Sequence, residues 1–257
     1  MEIKPQKKAA TASASQSDPT DRSSVRSVER ALTLLGSFSL GSPVLTLSEL
    51  AQIADLPVST TSRLLTTLEA SGFVRRLPNG YACGIRLFQI GLNALQSLPV
   101  YDLAEPHLRE LTKATGESAY LAIPAEPSEF VYVRQSLSPK AIKHSVWLGR
   151  AIKAGGTAIG AAIKGDVGPG DFIATRSTVE PDVTAIAAPI YSPDGSIVAG
   201  INVVGPSFRI SDADIKTYGR ALIKTTTAVS RELGASLSPT LRSPTFSPPR
   251  STGLSNG

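Results

Sequence analysis

Apolar positions recur along this chain with two periods, and the change from one to the other divides it. From Ser27 to Leu98 the spacing is helical. Val28, Ala31, Leu32, Leu35 and Phe38 share one face of a first helix, which Gly36 weakens and the SLGSP cluster at 39–43 ends. Leu47, Leu50, Ala51 and Ala54 supply the inner face of a short second helix, and Thr61, Leu64, Leu65 and Leu68 that of a third. Beyond Gly116 the period falls to two. Residues 119–123, 129–135, 143–149, 172–176, 183–191 and 196–204 read as antiparallel strands, the last two joined by a Ser-Pro-Asp-Gly turn. Helices are predicted over 106–115 and 212–233, with a small-residue helix or loop-helix at 151–163. Strands flanked by helices make this part α+β.

The ends of the early helices are well marked. Thr46 and Glu49 form a capping box, in which each side chain satisfies the other's free amide. Asp55, Leu56 and Pro57 make a turn; Ser59 is predicted to cap the third helix, and Gly72 is a C′ glycine. Phe73 and Val74 open a strand, Pro78-Asn79-Gly80 turns it, and Tyr81 starts the return. Two capped helices around a tight turn, then a basic hairpin, is the order of parts in a winged helix-turn-helix.

The outer face of the third helix is centred on Ser59, Arg63 and Thr66 and flanked by Thr60, Ser62 and Thr67. It carries hydroxyls, one arginine and no acid, whereas a solvated face usually mixes lysine with glutamate. Such groups contact phosphate oxygens or base edges; an unremarkable Ser/Thr-rich surface is the competing explanation. Arg26, Ser48, the wing arginines Arg75 and Arg76, and Asn79 at the wing tip complete the candidate DNA-binding set. Ordinary solubility explains any one of these arginines equally well.

The helix expected over Ile85–Leu98 has two apolar stripes, one of Ile85, Phe88, Leu92 and Leu95, the other of Leu87, Ile90, Ala94 and Leu98. Two stripes need two partners. The winged domain and the same helix of a second subunit would serve, and burial in the second domain is the alternative.

Charge sharpens this division. Of the net +5, residues 22–86 carry seven arginines against four acids, while residues 87–234 balance at 14 basic and 14 acidic. Clustered arginine on one small domain is the footprint of phosphate contact. The predicted organisation is a disordered tail (1–23), a winged helix-turn-helix (24–84), a linker and dimerisation helix (85–98), an effector domain (99–234) and a disordered Ser/Pro-rich tail (235–257). Mean hydropathy is +0.04, and no run of 18 apolar residues suggests a membrane span. The N-terminus is basic without an apolar core, and Cys83 is a lone cysteine. The reducing cytoplasm is the expected location.

No nucleophile–base–acid set, phosphate-binding loop or dinucleotide fingerprint occurs, so neither an enzyme nor a cofactor is expected. His107 and His144 have no companions at ligand spacing, which argues against a metal site. Tyr120, Tyr132 and Trp147 alternate on strands and read first as core packing, second as a stacking surface for a ligand. Arg134 and Lys153 could pair with a carboxylate effector, and ordinary surface ion pairs explain them equally well.

Three segments carry a family resemblance: SVERALTLL (27–35), LTLSELAQIADLPVSTTSRLLTTLEASGFV (45–74) and AAPIYSPDGSIVAGINVVGP (187–206). In this order they resemble the IclR family of bacterial transcriptional regulators, from about Ser24 to Gly234. The resemblance implies a winged helix-turn-helix, a linker helix and a GAF-like mixed α/β sensor domain. It implies a homodimer or dimer of dimers acting on double-stranded DNA, with an organic or aromatic acid as the small-molecule effector. Gly156, Thr157, Ala185, Asn202 and Val204 fall at the family's effector positions, beside Tyr120, Arg134, Trp147 and Lys153. The chain departs from the family's pattern at several places. Gly155 and Ala161 stand where a histidine and a lysine are usual, Ala185 replaces a cysteine, and the segment between Ile163 and Val179 is short. The expected function is a sequence-specific regulator, a repressor among the possibilities, modulated by a metabolite. A constitutive DNA binder with a degenerate sensor, and a metabolite-binding or hydrolytic enzyme with an interaction-only winged domain, stay open as alternatives.

Overall fold

The computed structural model describes residues 25–38, 42–126, 128–144, 148–178 and 180–236. Trp147, the predicted N-terminal tail (1–23) and residues 237–257 of the predicted C-terminal tail lie outside them. The chain divides into two units, Met1–Leu87 and Phe88–Gly257.

In the first unit, α1 (Arg26–Ser37), α2 (Leu47–Ile53) and α3 (Val58–Ala70) enclose Leu34, Leu50, Leu65 and Leu68, and β1 (Val74–Leu77) and β2 (Gly80–Cys83) close the core with Val74 and Tyr81. The capping box forms as expected. Thr46 Oγ1 accepts from the Glu49 amide at 3.2 Å, and Glu49 Oε2 accepts from the Thr46 amide at 2.7 Å. Those hydrogen bonds hold the Glu49 carboxyl below its usual range. The wing is pinned from outside, because Leu45 exchanges two backbone bonds with Tyr81, at 2.9 and 2.8 Å. Gly80 makes this approach possible: its φ is +146°, and a Cβ there would lie 2.5 Å from the Leu45 carbonyl oxygen.

Two local readings are corrected. Leu34 anchors α1 and is fully buried; of the predicted face, Ala31, Leu35 and Phe38 pack against this core, while Val28 and Leu32 are 54% and 60% exposed. One residue of phase, about 100° on a helix, separates Leu34 from the face chosen from spacing alone. Ser59 does not cap α3. Pro57 occupies the N-cap and its carbonyl accepts from the Thr61 amide at 2.9 Å, which leaves Ser59 exposed within the first turn.

Helix α4 (Ile85–Gln96) crosses the division between the units and buries none of its residues. Ile85 and Phe88 are 67% and 64% exposed. Burial of this helix inside the second domain is therefore not what the chain does.

The second unit is a six-stranded, wholly antiparallel sheet in the order β5-β4-β3-β8-β7-β6. Its strands are β3 (Ser118–Pro124), β4 (Glu129–Ser136), β5 (Ala151–Lys153), β6 (Ile173–Arg176), β7 (Val183–Tyr191) and β8 (Ile197–Pro206). Helices α5 (Pro99–Thr115) and α7 (Asp212–Glu232) cover one face, burying Leu108, Leu111, Ile186, Ile201, Val203 and Leu222. The short α6 (Ala158–Lys164) covers the other, over Tyr120, Ala122, Phe130 and Tyr132. Gly200 is its seat, since a Cβ there would lie 2.7 Å from Ile159 Cδ1.

Helix α5 begins seven residues before the predicted start, with Pro99 in its first turn and Pro106 carried inside it. Strand β5 pairs with β4 through Glu129, Phe130 and Val131. Of the strand predicted at 143–149, residues 145–147 lie outside the described residues, and Leu148 makes an isolated bridge to Tyr132. Among the described residues no helix is long and apolar enough to cross a membrane.

Candidate nucleic-acid interface and sensor cavity

Helix α3 separates its two faces cleanly. Thr61, Leu65 and Leu68 are buried, with Leu64 packed beside them, while Ser59, Arg63, Thr66 and Thr67 are exposed and Thr60 and Ser62 half-buried. The threonines are oriented from within the helix. Thr66 Oγ1 donates to the Ser62 carbonyl at 3.0 Å and Thr67 Oγ1 to the Arg63 carbonyl at 3.2 Å, which leaves their oxygens as acceptors facing outward. Arg63 is the one guanidinium on this face, and no acid lies beside it.

On the wing, Arg75 and Arg76 are exposed and stand opposite Ala82 and Tyr81. The Arg76 guanidinium lies 5.9 Å from the centre of the Tyr81 ring, an arrangement that holds the charge at the hairpin stem. Asn79 is exposed at the tip, Ser48 on the first turn of α2, and Arg26 at the start of α1. The first unit thus presents every predicted DNA-facing residue at least in part to solvent.

In the second unit a cavity of ≈ 40 Å³ lies on the α6 face of the sheet. Strand alternation delivers its floor: Ala185 pairs with Val204 and Ala187 with Asn202, so Ala185, Asn202 and Val204 point to the same side. Phe130, Tyr132 and Ile152 form one wall, Ala158 and Ile159 of α6 the roof, and Thr175, Thr178 and Val183 the far side. Thr157 lines the cavity, but its hydroxyl is engaged as the α6 cap, donating to the Ala154 carbonyl and accepting from the Gly160 amide, both at 2.9 Å.

Three polar side chains give the cavity its chemistry. Asn202 is 1% exposed; its Nδ2 donates to Tyr132 Oη at 2.6 Å, and its Oδ1 meets no hydrogen-bond partner among the described residues. Turning the amide over leaves the nitrogen in that position instead. Burial, only partly offset by the bond from Asn202, drives the Tyr132 phenol well above its usual pKa and keeps it neutral. His144 lies at the rim with Nδ1 3.3 Å from Tyr120 Oη and Nε2 3.4 Å from Glu180 Oε2. Burial pulls the His144 pKa down, against the opposing pull of Glu180.

The expected effector residues are therefore divided. Thr157, Ala185, Asn202 and Val204 line the cavity. Tyr120 stands behind the wall, its ring 5.2 Å from that of Tyr132. Gly156 is exposed in the turn before α6, and Lys153 is exposed on the edge strand. Arg134 is on the other face. A bulge at Val133, where the register steps from Leu121↔Arg134 to Ala122↔Tyr132, turns it away from Phe130 and Tyr132. There it contacts Glu105 and Asp102 and lies 3.9 Å from the centre of the Tyr101 ring. His144 and Glu180 were missed. They sit on loops 36 positions apart in sequence, and no local pattern joins them. Among the described residues no cluster of three or more His, Cys, Asp and Glu could hold a metal, and His107 contacts Glu232 at 2.9 Å.

A second polar centre supports the sheet. Glu117 is buried, and accepts from Lys140 at 2.8 Å and from Arg209 twice at 2.7 Å. Burial pushes its pKa up, but the hydrogen bonds from Arg209 and Lys140 outweigh it and hold the carboxyl below its usual range.

The IclR helix-turn-helix domain model matches residues 27–78, and the model of the bacterial transcriptional regulator IclR C-terminal domain matches residues 92–164 and 174–231. The interval between the last two, 165–173, falls in the stretch that follows α6. Over 247 residues the chain is 24% identical to the HTH-type transcriptional regulator XynR of Escherichia coli (strain K12), covering 82% of this chain and 98% of that one. It is 40% identical over 101 residues to the transcriptional repressor IclR of the same organism, 38% of this chain and 37% of that one. A solved IclR homolog from Microbacterium hydrocarbonoxydans, complexed with 4-hydroxybenzoate, superposes with a TM-score of 0.68 at 21% identity, covering 82% of this chain and all of that one.

Proposed function

The chain belongs to the IclR family of bacterial transcriptional regulators, and from that premise we propose how it works: α3 reads an operator and the sensor cavity governs that binding. The family and the relatives are regulators of transcription, not enzymes. The face of Ser59, Arg63 and Thr66 enters the major groove, with Arg63 the best placed for a guanine edge or an adjacent phosphate. Arg75, Arg76 and Arg26 hold the DNA backbone, adding affinity but little sequence information. The centre of this exposed face, Ser59, Arg63 and Thr66, carries no acid, the helix's one acid being the half-buried Glu69 at its C-terminal flank, and that observation carries the reading.

The chain acts in the cytoplasm as a homodimer joined through α4, whose Ile85, Phe88, Ile90 and Leu92 remain exposed within one copy. Two copies related by a two-fold would present paired α3 helices to successive turns of DNA. A small molecule in the cavity shifts operator affinity by binding the two arrangements of the dimer unequally. The cavity's small size favours the alternative of a sensor that has lost its ligand; the buried Asn202 amide weighs against it, because a ligand would satisfy an otherwise costly orphan group. Selection of genomic fragments by the full chain, followed by sequencing, tests the proposal. One or a few recurrent sites with two-fold symmetry are expected, and retention of no fragment would overturn it.

A further inference from the structure

We infer that the sensor cavity takes an uncharged ligand, a planar apolar ring bearing an amide- or hydroxyl-type group, and rejects carboxylates. The inference rests on reading this cavity as the effector site, and it departs from the acid expected from family resemblance.

Charge decides first. Among the described residues that line the cavity none is a lysine or arginine, and their one carboxylate, Glu180, would repel an anion. The two arginines of the neighbouring strands serve the opposite face. Arg134 is engaged by Asp102 and Glu105, and Arg176 by Asp212 at 2.7 Å and the Ile210 carbonyl at 3.0 Å. Lys153 is exposed at the sheet edge and lines nothing here. His144 is the remaining candidate cation; its two ring nitrogens face Tyr120 and Glu180, and burial favours its neutral form. A carboxylate desolvated in this cavity would find no compensating charge.

Hydrogen bonding decides next. The Asn202 amide is buried, with one end bonded to Tyr132 and the other without a partner among the described residues, and it lines the cavity. A ligand group that both donates and accepts, such as a primary amide, satisfies that end whichever way the side chain is turned. Phe130, Tyr132, Ile152 and Val204 provide flat apolar walls for a ring. The His144–Glu180 contact stands at the rim, where a ligand would enter.

The test uses the full chain and matched acid and amide pairs: benzoate with benzamide, nicotinate with nicotinamide, and phenylacetate with phenylacetamide. Affinity is read at pH 7.5 by ligand-observed NMR titration of the wild type, of Ala185→Phe, which fills the cavity, and of Asn202→Leu, a near-isosteric change that removes the amide. Circular dichroism checks that each variant is folded. At least one amide should bind tenfold or more tighter than its acid, with binding lost in Ala185→Phe and the preference lost in Asn202→Leu. Acids that bind as tightly as their amides, and are displaced by Ala185→Phe, would overturn the inference while leaving the cavity reading intact. Failure of every pair to bind in a manner sensitive to Ala185→Phe would overturn the cavity reading, and the inference with it.

Discussion

The exposed face of α3 and the walls of the sensor cavity use polar groups in opposite ways. On α3 the hydroxyls and one arginine point outward and no acid stands among Ser59, Arg63 and Thr66 at the centre of the face, a surface made for a polyanion. In the cavity the amide, phenol and imidazole are buried, one acid stands at the rim and no lysine or arginine lines it among the described residues, a site suited to something without charge. The first surface is written on one helix, so its composition shows directly in thirteen consecutive residues. The second is assembled from five strands, a helix and two loops, and each contribution depends on register.

Breaking the sensor unit without touching α3 gives the largest expected effect. Glu117→Ala leaves Arg209 and Lys140 without their shared acceptor and should cost the sensor unit about 3 kcal/mol. Urea unfolding followed by Trp147 fluorescence would show it; an unchanged midpoint would mean the cluster contributes only surface pairing.

Next in size is the winged unit's own signature. Arg63→Ala should cost about 1–3 kcal/mol on a specific operator and much less on random duplex, measured by fluorescence anisotropy. Arg75→Ala should weaken both to a similar extent and flatten the salt dependence.

A smaller effect lies in the cap of α2. Thr46→Ala removes the acceptor for the Glu49 amide and should cost the winged unit about 1 kcal/mol, read from its thermal unfolding. The sensor unit should be unaffected.

The smallest concerns pH. Burial holds the folded His144 below its ordinary value of 6.5, so the unfolded chain takes up a proton that the folded one resists. The stability from this group is complete above that ordinary value and is lost as pH falls below it, at no more than about 1.4 kcal/mol per pH unit. Melting between pH 7.5 and 5.5 should show a decline for the sensor unit that His144→Gln lessens. An equal decline in both proteins would place the titration elsewhere.

The same contrast explains what could be read from residues alone. Thr46 with Glu49, Gly72 at the end of α3, and Pro78-Asn79-Gly80 at the wing tip are local rules, and the structure obeys each. Where a neighbour intervened, the local rule failed: Pro57 took the cap position assigned to Ser59. Phase errors had a larger reach. Spacing counted from Val28 missed Leu34, and the bulge at Val133 carried Arg134 from the cavity face to the α5 face. The expectation of an acid effector came from resemblance, with Arg134 and Lys153 as its candidate partners, and neither is among the cavity-lining residues. Asn202, Ala185 and Val204 were reached through resemblance, while His144 and Glu180 meet only after loops fold back across the sheet.

The central claim is that α3 reads DNA through the face of Ser59, Arg63 and Thr66. Its most direct test is the affinity of wild type and Arg63→Ala for an operator recovered by genomic selection, each measured against a scrambled duplex of the same length and salt. A loss of about ten- to hundredfold on the operator with little change on the scrambled duplex is predicted. Equal affinity of the two proteins for the operator would contradict the placement of α3 in the groove.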